Sequence, residues 1–300
     1  MSRAKANGLT IEFESLGDRA NPTIVLIMGL GMQMIAWPDA FCEMLVARGF
    51  HVLRFDNRDA GLSSGFEQRG TPNLVMVWLK YLLKRPQHAP YLIDDMADDT
   101  AALLDVLCIK HAHVVGASMG GMIAQSLAVR YPHKVLSLTS LMSTTGARSL
   151  PGPTRKVRQA LMKPRARAGD VRGAAQRLLH ILRAIGSPGY PESEALLREI
   201  CERHVKRAYR PDGMARQLLG IVASGDRTAL IKQISVPTLV LHGAADPMLP
   251  PACAKGTAAA IPHAKLTIIE GMGHDLPSLL LPRLVDEIVA HCVSAESKGA

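Results

Sequence analysis

The 300-residue chain is short of three things, and each shortage removes a class of protein. Aromatic residues make up 4% of it, too few for the stacking platforms on which single-stranded nucleic acids lie. Its apolar runs, such as 23–28 and 237–241, fall far below the roughly 20 residues that span a bilayer. Cysteines are five (Cys42, Cys108, Cys201, Cys253 and Cys292), an odd and scattered set without a C-x-x-C pair or a Cys/His grouping of metal-site spacing. They read as reduced packing residues rather than as a disulfide frame or a zinc site. The opening Met-Ser-Arg-Ala-Lys-Ala-Asn-Gly also lacks the apolar core of a secretion signal. The expectation is a cytoplasmic protein with no membrane attachment.

What remains is enough for a sizeable core: 48% hydrophobic residues, 20% charged residues and 25 glycines. Short apolar runs alternate with longer amphipathic stretches, the pattern of helices covering a mostly parallel sheet. Strands are expected at 10–15, 23–28, 51–55, 112–116, 135–141, 238–241 and 265–269. Helices are expected at 40–48, 96–107, 119–130 and 276–293. The rhythm breaks once, between about 147 and 230, where no β run occurs and Pro151-Gly152-Pro153 leads into basic helical stretches. The expected organisation is a core of 1–146 and 231–300 carrying a helical cap at 147–230.

The formal net charge of +9 is concentrated in that interruption. Residues 147–232 hold 18 Lys and Arg against 7 Asp and Glu, a net +11, which leaves −2 elsewhere. Without a helix-turn-helix, zinc-finger or RNP pattern, a basic segment does not imply nucleic acid. It implies a solvated basic surface, or a lid that steers anionic ligands and is weakened by salt.

The strongest chemical signal is Gly116-Ala117-Ser118-Met119-Gly120-Gly121, set between the strand at 112–116 and the helix that follows. A G-x-S-x-G in that position is a nucleophile elbow: a turn so tight that the serine backbone is strained and its hydroxyl projects from the sheet edge. A serine hydroxyl is a poor nucleophile near neutral pH, so a base and a group to orient it are needed. The expected order is serine, acid, histidine. Asp246 follows the strand at 238–241, and His274 follows the strand at 265–269, which puts both at the carboxyl edge of the sheet where active sites of this architecture gather. Asp226, at the end of the interruption, is the alternative acid; Asp275 is too close to His274 in the chain to point at the far nitrogen of its ring, and Glu270 reads as solvent-facing. His242 reads as a structural hydrogen-bonding residue, and His111 and His113 as surface or packing residues.

Attack on a carbonyl creates an oxyanion that two backbone N–H groups must stabilise. Met119, next to the nucleophile, offers one; Leu30, in the glycine-flanked loop Met28-Gly29-Leu30-Gly31, is the choice for the other. Those glycines otherwise serve only a tight turn.

With these residues in order, the sequence resembles the α/β-hydrolase superfamily over nearly its whole length. The resemblance rests on Leu26-Ile-Met-Gly-Leu-Gly-Met-Gln-Met, Trp37-Pro38, Arg54-Phe-Asp-Asn-Arg-Asp-Ala-Gly-Leu-Ser63, the elbow, and Gly273-His274. Within the superfamily it is similar to the branch of aclacinomycin methylesterase and the serine-dependent macrolide esterases. The resemblance implies an eight-stranded, mostly parallel sheet, a helical cap, a Ser118/Asp246/His274 triad, Leu30 and Met119 as oxyanion donors, and no cofactor or metal. Asp56 and Arg58 are then architectural. Met28-Gly29 stands where the family commonly has His-Gly. The expected partner is a small-molecule ester, hydrolysed through an acyl-enzyme; perhydrolysis, carbon–carbon hydrolysis, or a non-catalytic receptor role are the alternatives. Fourteen methionines, among them Met28, Met32, Met34, Met119, Met248 and Met272, suggest an adaptable apolar pocket for bulky esters, with core filling as the plainer alternative. Met32, Met34, Trp37 and Met248 are the candidate pocket residues, and Trp37 has a second possible role as an anchor against the first helix.

Overall fold

The computed structural model describes residues 1–163, 166, 167 and 169–297. Eight strands form one sheet: β1 (Ser2–Ala6), β2 (Leu9–Leu16), β3 (Thr23–Ile27), β4 (His51–Phe55), β5 (Ala112–Ala117), β6 (Val135–Leu141), β7 (Thr238–Gly243) and β8 (Lys265–Ile269). Their spatial order is β1-β2-β4-β3-β5-β6-β7-β8. The first two join antiparallel, and every pairing from β4 through β3 to β8 is parallel.

The helices are α1 (Asp39–Ala47), α2 (Leu74–Leu82), α3 (Ile93–Val106), α4 (Met119–Arg130), α5 (Arg155–Met162), α6 (Val171–Ile185), α7 (Glu194–Arg207), α8 (Pro211–Ser224), α9 (Thr228–Ile231), α10 (Ala252–Ala260) and α11 (Leu281–Glu296). The inner strands are apolar throughout because both their faces are covered. Alternate residues serve opposite layers: Val25, Ile27 and Val114 join Ile123 and Leu127 of α4 and Leu103 of α3. Ile24, Leu26 and Val115 join Phe41 of α1 and Leu284 and Ile288 of α11. A one-residue slip would exchange the layers, so register is strongly fixed.

Seven of the eight strands stand where the sequence pattern places them. The exception is β1, an edge strand paired, among the described residues, with β2 alone; its inward face carries only the small Ala4 and Ala6, too weak an apolar alternation to read. Outside the inserted segment, α2, which is apolar but largely exposed, and the alanine-rich α10 also lie outside the expected helices.

Between β6 and β7 the chain forms α5 to α9 and no strand among the described residues. The sequence supplies the helix starts: the side chains of Thr154, Asp170 and Ser193 accept from backbone N–H groups at the starts of α5, α6 and α7, and Pro211 occupies the first turn of α8. The segment has small apolar clusters of its own, one joining α6 to α7 through Leu179, Cys201 and Val205, the other joining α5 to α6. All five cysteines are free, and burial pushes the thiols of Cys42, Cys201 and Cys292 up to about 12, so these sulfurs act as packing groups.

Candidate active site

Ser118 is the single residue between the end of β5 and the start of α4, and it turns the chain with φ 56° and ψ −118°. A left-handed, non-glycine residue in such a turn is strained and persists only where its surroundings force it. Here they do. A Cβ on Gly116 would lie 2.1 Å from the Gly120 carbonyl oxygen, and one on Gly120 would lie 2.0 Å from the Ile27 oxygen. Only glycine permits this approach of strand to helix. The Ser118 N–H donates to the Leu141 carbonyl at 2.9 Å, and its carbonyl accepts from Ser143 Oγ at 2.8 Å and the Gly121 N–H at 2.9 Å. The side chain is left at the N-terminus of α4, where the helix dipole favours negative charge.

The structure brings His274 and Asp246 to this serine. His274 Nε2 lies 3.0 Å from Ser118 Oγ, and Nδ1 lies 2.7 Å from Asp246 Oδ2. A carboxylate only accepts, so Nδ1 carries the hydrogen and Nε2 is free to take the serine proton. Asp246 is 4% exposed, and its other oxygen accepts from the Met248 and Leu249 N–H groups, each at 2.8 Å. Burial alone would raise this carboxyl. The charge of His274 and hydrogen bonds from His242, His274 and the Leu249 N–H outweigh burial and hold it well below the usual carboxylate range.

The competing residues are engaged elsewhere. Asp226 is near the surface, accepting from the Thr228 N–H and Oγ1, and Glu270 is exposed. Asp275 is bonded to Ser187 rather than to the His274 ring, and burial raises its carboxyl despite the Ser187 bonds. His242 Nε2 donates to the Leu249 carbonyl at 2.7 Å and approaches Asp246 Oδ2 at 3.3 Å. His113 is buried, bonded to Ser137 and Glu296, whereas His111 is exposed.

Beside Ser118 runs the loop after β3. A Cβ on Gly29 would be 3.1 Å from Ser118 Cβ and 3.6 Å from Oγ, which puts Leu30 in the loop that flanks the hydroxyl. Met119 opens α4, so its N–H has no acceptor within the helix. Two of the four candidate pocket residues are corrected by the structure. Trp37 is fully buried and stacked on Phe41 of α1 with ring centroids 5.4 Å apart, an anchor rather than a pocket wall. Met34 is fully buried too, its N–H donating to Asp56 Oδ1 at 2.7 Å. Met28, Met119 and Met272 are likewise core residues. Met32 and Met248 remain partly accessible, the latter packed against the α5–α6 cluster.

Sequence reasoning missed the contacts that tie the inserted helices to this edge. Met214 of α8 presses on Gly31, and the fully buried Gln217 accepts from the Gly31 N–H at 2.8 Å while donating to the Arg58 carbonyl at 2.7 Å. The His274 N–H donates to the Ile185 carbonyl at the end of α6, and Ser187 Oγ accepts from the Gly273 N–H. These partners lie about 90 to 190 residues apart in the chain, and no spacing rule exposes them. Among the described residues, no group of three or more His, Cys, Asp or Glu is placed to hold a metal ion. A cavity of about 860 Å³, lined by Thr23, His51 and Val135, opens at the opposite, amino-terminal ends of the strands, away from Ser118.

A family model for the alpha/beta hydrolase fold matches residues 22–278. Rhodomycin D methylesterase DnrP of Streptomyces peucetius is 30% identical, with 96% of each chain covered. Rhodomycin D methylesterase DauP of Streptomyces sp. (strain C5) is 29% identical over the same shares. Among solved structures, the meta-cleavage product hydrolase CumD of Pseudomonas fluorescens IP01 superposes with a TM-score of 0.73 at 18% identity, covering 98% of both chains, a likeness of fold alone. With its sheet order, elbow and family match in agreement, the chain belongs to the alpha/beta-hydrolase family.

Proposed function

We propose that this carboxyl-ester hydrolase works through Ser118 as nucleophile, His274 as general base and acid, and Asp246 as the group that orients and stabilises the imidazolium. The observation that carries the reading is the continuous hydrogen-bonded line from Asp246 Oδ2 through both His274 nitrogens to Ser118 Oγ. As Oγ attacks the acyl carbon, Nε2 takes its proton, and the carbonyl oxygen becomes an anion facing the Leu30 and Met119 N–H groups. Collapse breaks the ester C–O bond, and His274 returns the proton to the departing alkoxide. Water, deprotonated by the same nitrogen, then attacks the acyl-enzyme, releasing the acid and restoring Ser118. Every step uses groups of this chain and water. A poised nucleophile favours catalysis over the receptor alternative.

The helices at 147–230 act as a cap over the site in this reading, supported by Met214 against Gly31 and Ile185 against His274. The proposed substrates are bulky apolar esters or lactones of polyketide type. Support comes from the methylesterases that resemble this chain throughout and from the half-buried Met32, Met214 and Met248, whose unbranched side chains adapt to varied shapes. Four buried free thiols suit the reducing cytoplasm. A panel of acetyl esters, methyl esters of polycyclic acids and macrolactones, run on wild type and Ser118→Ala, tests both levels. Turnover of the bulky esters that is lost in the variant supports the reading, and a strict preference for acetyl esters overturns the substrate class.

A further inference from the structure

We propose that α2 is a docking helix that seats this protein on an anionic lipid surface. Its sequence, Leu-Val-Met-Val-Trp-Leu-Lys-Tyr-Leu, has the composition of a core helix. Val75, Trp78, Leu79 and Leu82 recur at i, i+3, i+4 and i+7, the spacing of a stripe that a globular protein turns inward. Here that stripe faces out: the four residues are 72%, 62%, 41% and 53% exposed, and Met76 and Leu83 beside them are 47% and 61% exposed. Within the helix, Val77 alone is buried. A contiguous exposed apolar surface of this kind marks an interaction site.

Charge identifies the occupant. From 68 to 93 the chain has no Asp or Glu, but it has Arg69, Lys80, Lys84 and Arg85, all exposed. Arg148 joins them, its guanidinium 4.5 Å from the centre of the Tyr81 ring and donating to the Tyr81 carbonyl at 3.2 Å. A second copy meeting this face around a twofold axis would set two basic rims against each other. Lipid headgroups of negative charge accept the rim while the acyl boundary accepts the stripe, the usual basis of interfacial helices. Trp78 and Tyr81, with apolar bodies and polar edges, suit the same depth. At nine residues, roughly 13 Å, α2 lies in an interface rather than crossing it, and no helix among the described residues is long and apolar enough to cross. Because α2 packs on α8, which reaches Gly31 beside Ser118, docking presents the inserted helices to the lipid.

The chain has two tryptophans, and with Trp37 fully buried, a change in emission reports Trp78. The full chain is titrated with phosphatidylglycerol–phosphatidylcholine vesicles, with pure phosphatidylcholine vesicles as the comparison. The expected result is a blue shift, quenching by acyl-brominated lipid, and co-sedimentation with the anionic vesicles, all weakened by salt. Trp78→Phe keeps co-sedimentation and loses the signal. The triple change Lys80→Gln, Lys84→Gln, Arg85→Gln weakens partitioning about a hundredfold. Leu79→Gln with Leu82→Gln weakens it about tenfold or more. Both variants keep hydrolysis of a soluble p-nitrophenyl ester at the wild-type rate, which establishes that they are folded. Absence of both shift and co-sedimentation with anionic vesicles overturns the proposal. So does a dimer in lipid-free solution that Leu79→Gln with Leu82→Gln splits into monomers, since the face would then be a self-association surface.

Discussion

The sheet core and the helices inserted into it differ most in charge, −2 against +11, and their contacts show where much of that difference goes. Arginines of α7 and α8 are docked on core carboxylates: Arg203 on Asp39, Arg207 on Asp56 and Arg216 on Asp59. Arg210 donates to the Ser63 carbonyl. Arg216 is 2% exposed and bonds both Asp59 oxygens, the fork geometry that guanidinium matches best. Burial alone would raise the Asp59 carboxyl, but Arg216, the Tyr91 hydroxyl and the Phe66 N–H hold it low. A basic segment that reads in sequence as a solvated surface or an anion-steering lid is thus in part an electrostatic clamp. In the proposed mechanism the core supplies the reacting groups, and the inserted helices hold the loops that carry them.

That division is most open to attack at Ser118, the proposed nucleophile. Ser118→Ala is expected to lower kcat for p-nitrophenyl esters by about 10⁴-fold or more with thermal unfolding unchanged, because triad members act as a unit. Asp246→Asn should cost about 10³-fold or more in kcat by leaving His274 in the wrong tautomer, again without loss of fold. If Asp226→Asn were instead the damaging change, the acid would be misassigned.

Substitutions across the clamp should move stability rather than chemistry. Arg216→Met leaves Asp59 buried without its cation and is expected to lower unfolding free energy by about 4 kcal/mol, read from urea midpoints. A midpoint equal to wild type would show that the clamp is not structural. The clamp should also be acid-sensitive at His204, a buried α7 histidine pushed down to about 4 by burial and by Arg203 and Arg207. The unfolded chain takes up a proton near pH 6.5 that the folded chain refuses until about 4. Stability therefore falls as pH drops through that window, by about 3 kcal/mol at its lower end. His204→Gln should remove this part of the acid loss, and urea midpoints at several pH values compare the two proteins. The smallest effect concerns steering: kcat/KM for a neutral ester should change by less than about twofold between low and moderate salt. A steep fall would mean that free cap charge, not docked charge, governs entry.

Much of this was legible in the chain because local and global signals coincide at the functional edge. Gly116, Ser118 and Gly120 stand between a strand pattern and a helix pattern, the setting of a tight turn, and Asp246 and His274 each follow a short β run. Legibility ended where an element's pattern contradicts its exposure or where partners are distant in sequence. β1 is an edge strand that turns only Ala4 and Ala6 inward; α2 is apolar yet uncovered; Trp37 and Met34 lie in a loop whose side chains turn into the core rather than toward the serine. The links from Gln217 to Gly31 and from Ser187 to Gly273 depend on how the inserted helices come to rest, which no single-chain periodicity records.

The most direct test is covalent. An activated serine attacks the phosphorus of a fluorophosphonate and expels fluoride, so the wild-type chain should gain one phosphonyl adduct, mapped by mass spectrometry to Ser118, while a folded Ser118→Ala chain gains none. An adduct on another residue, equal labelling of the variant, or an unlabelled wild type that still hydrolyses esters would contradict Ser118 as the nucleophile.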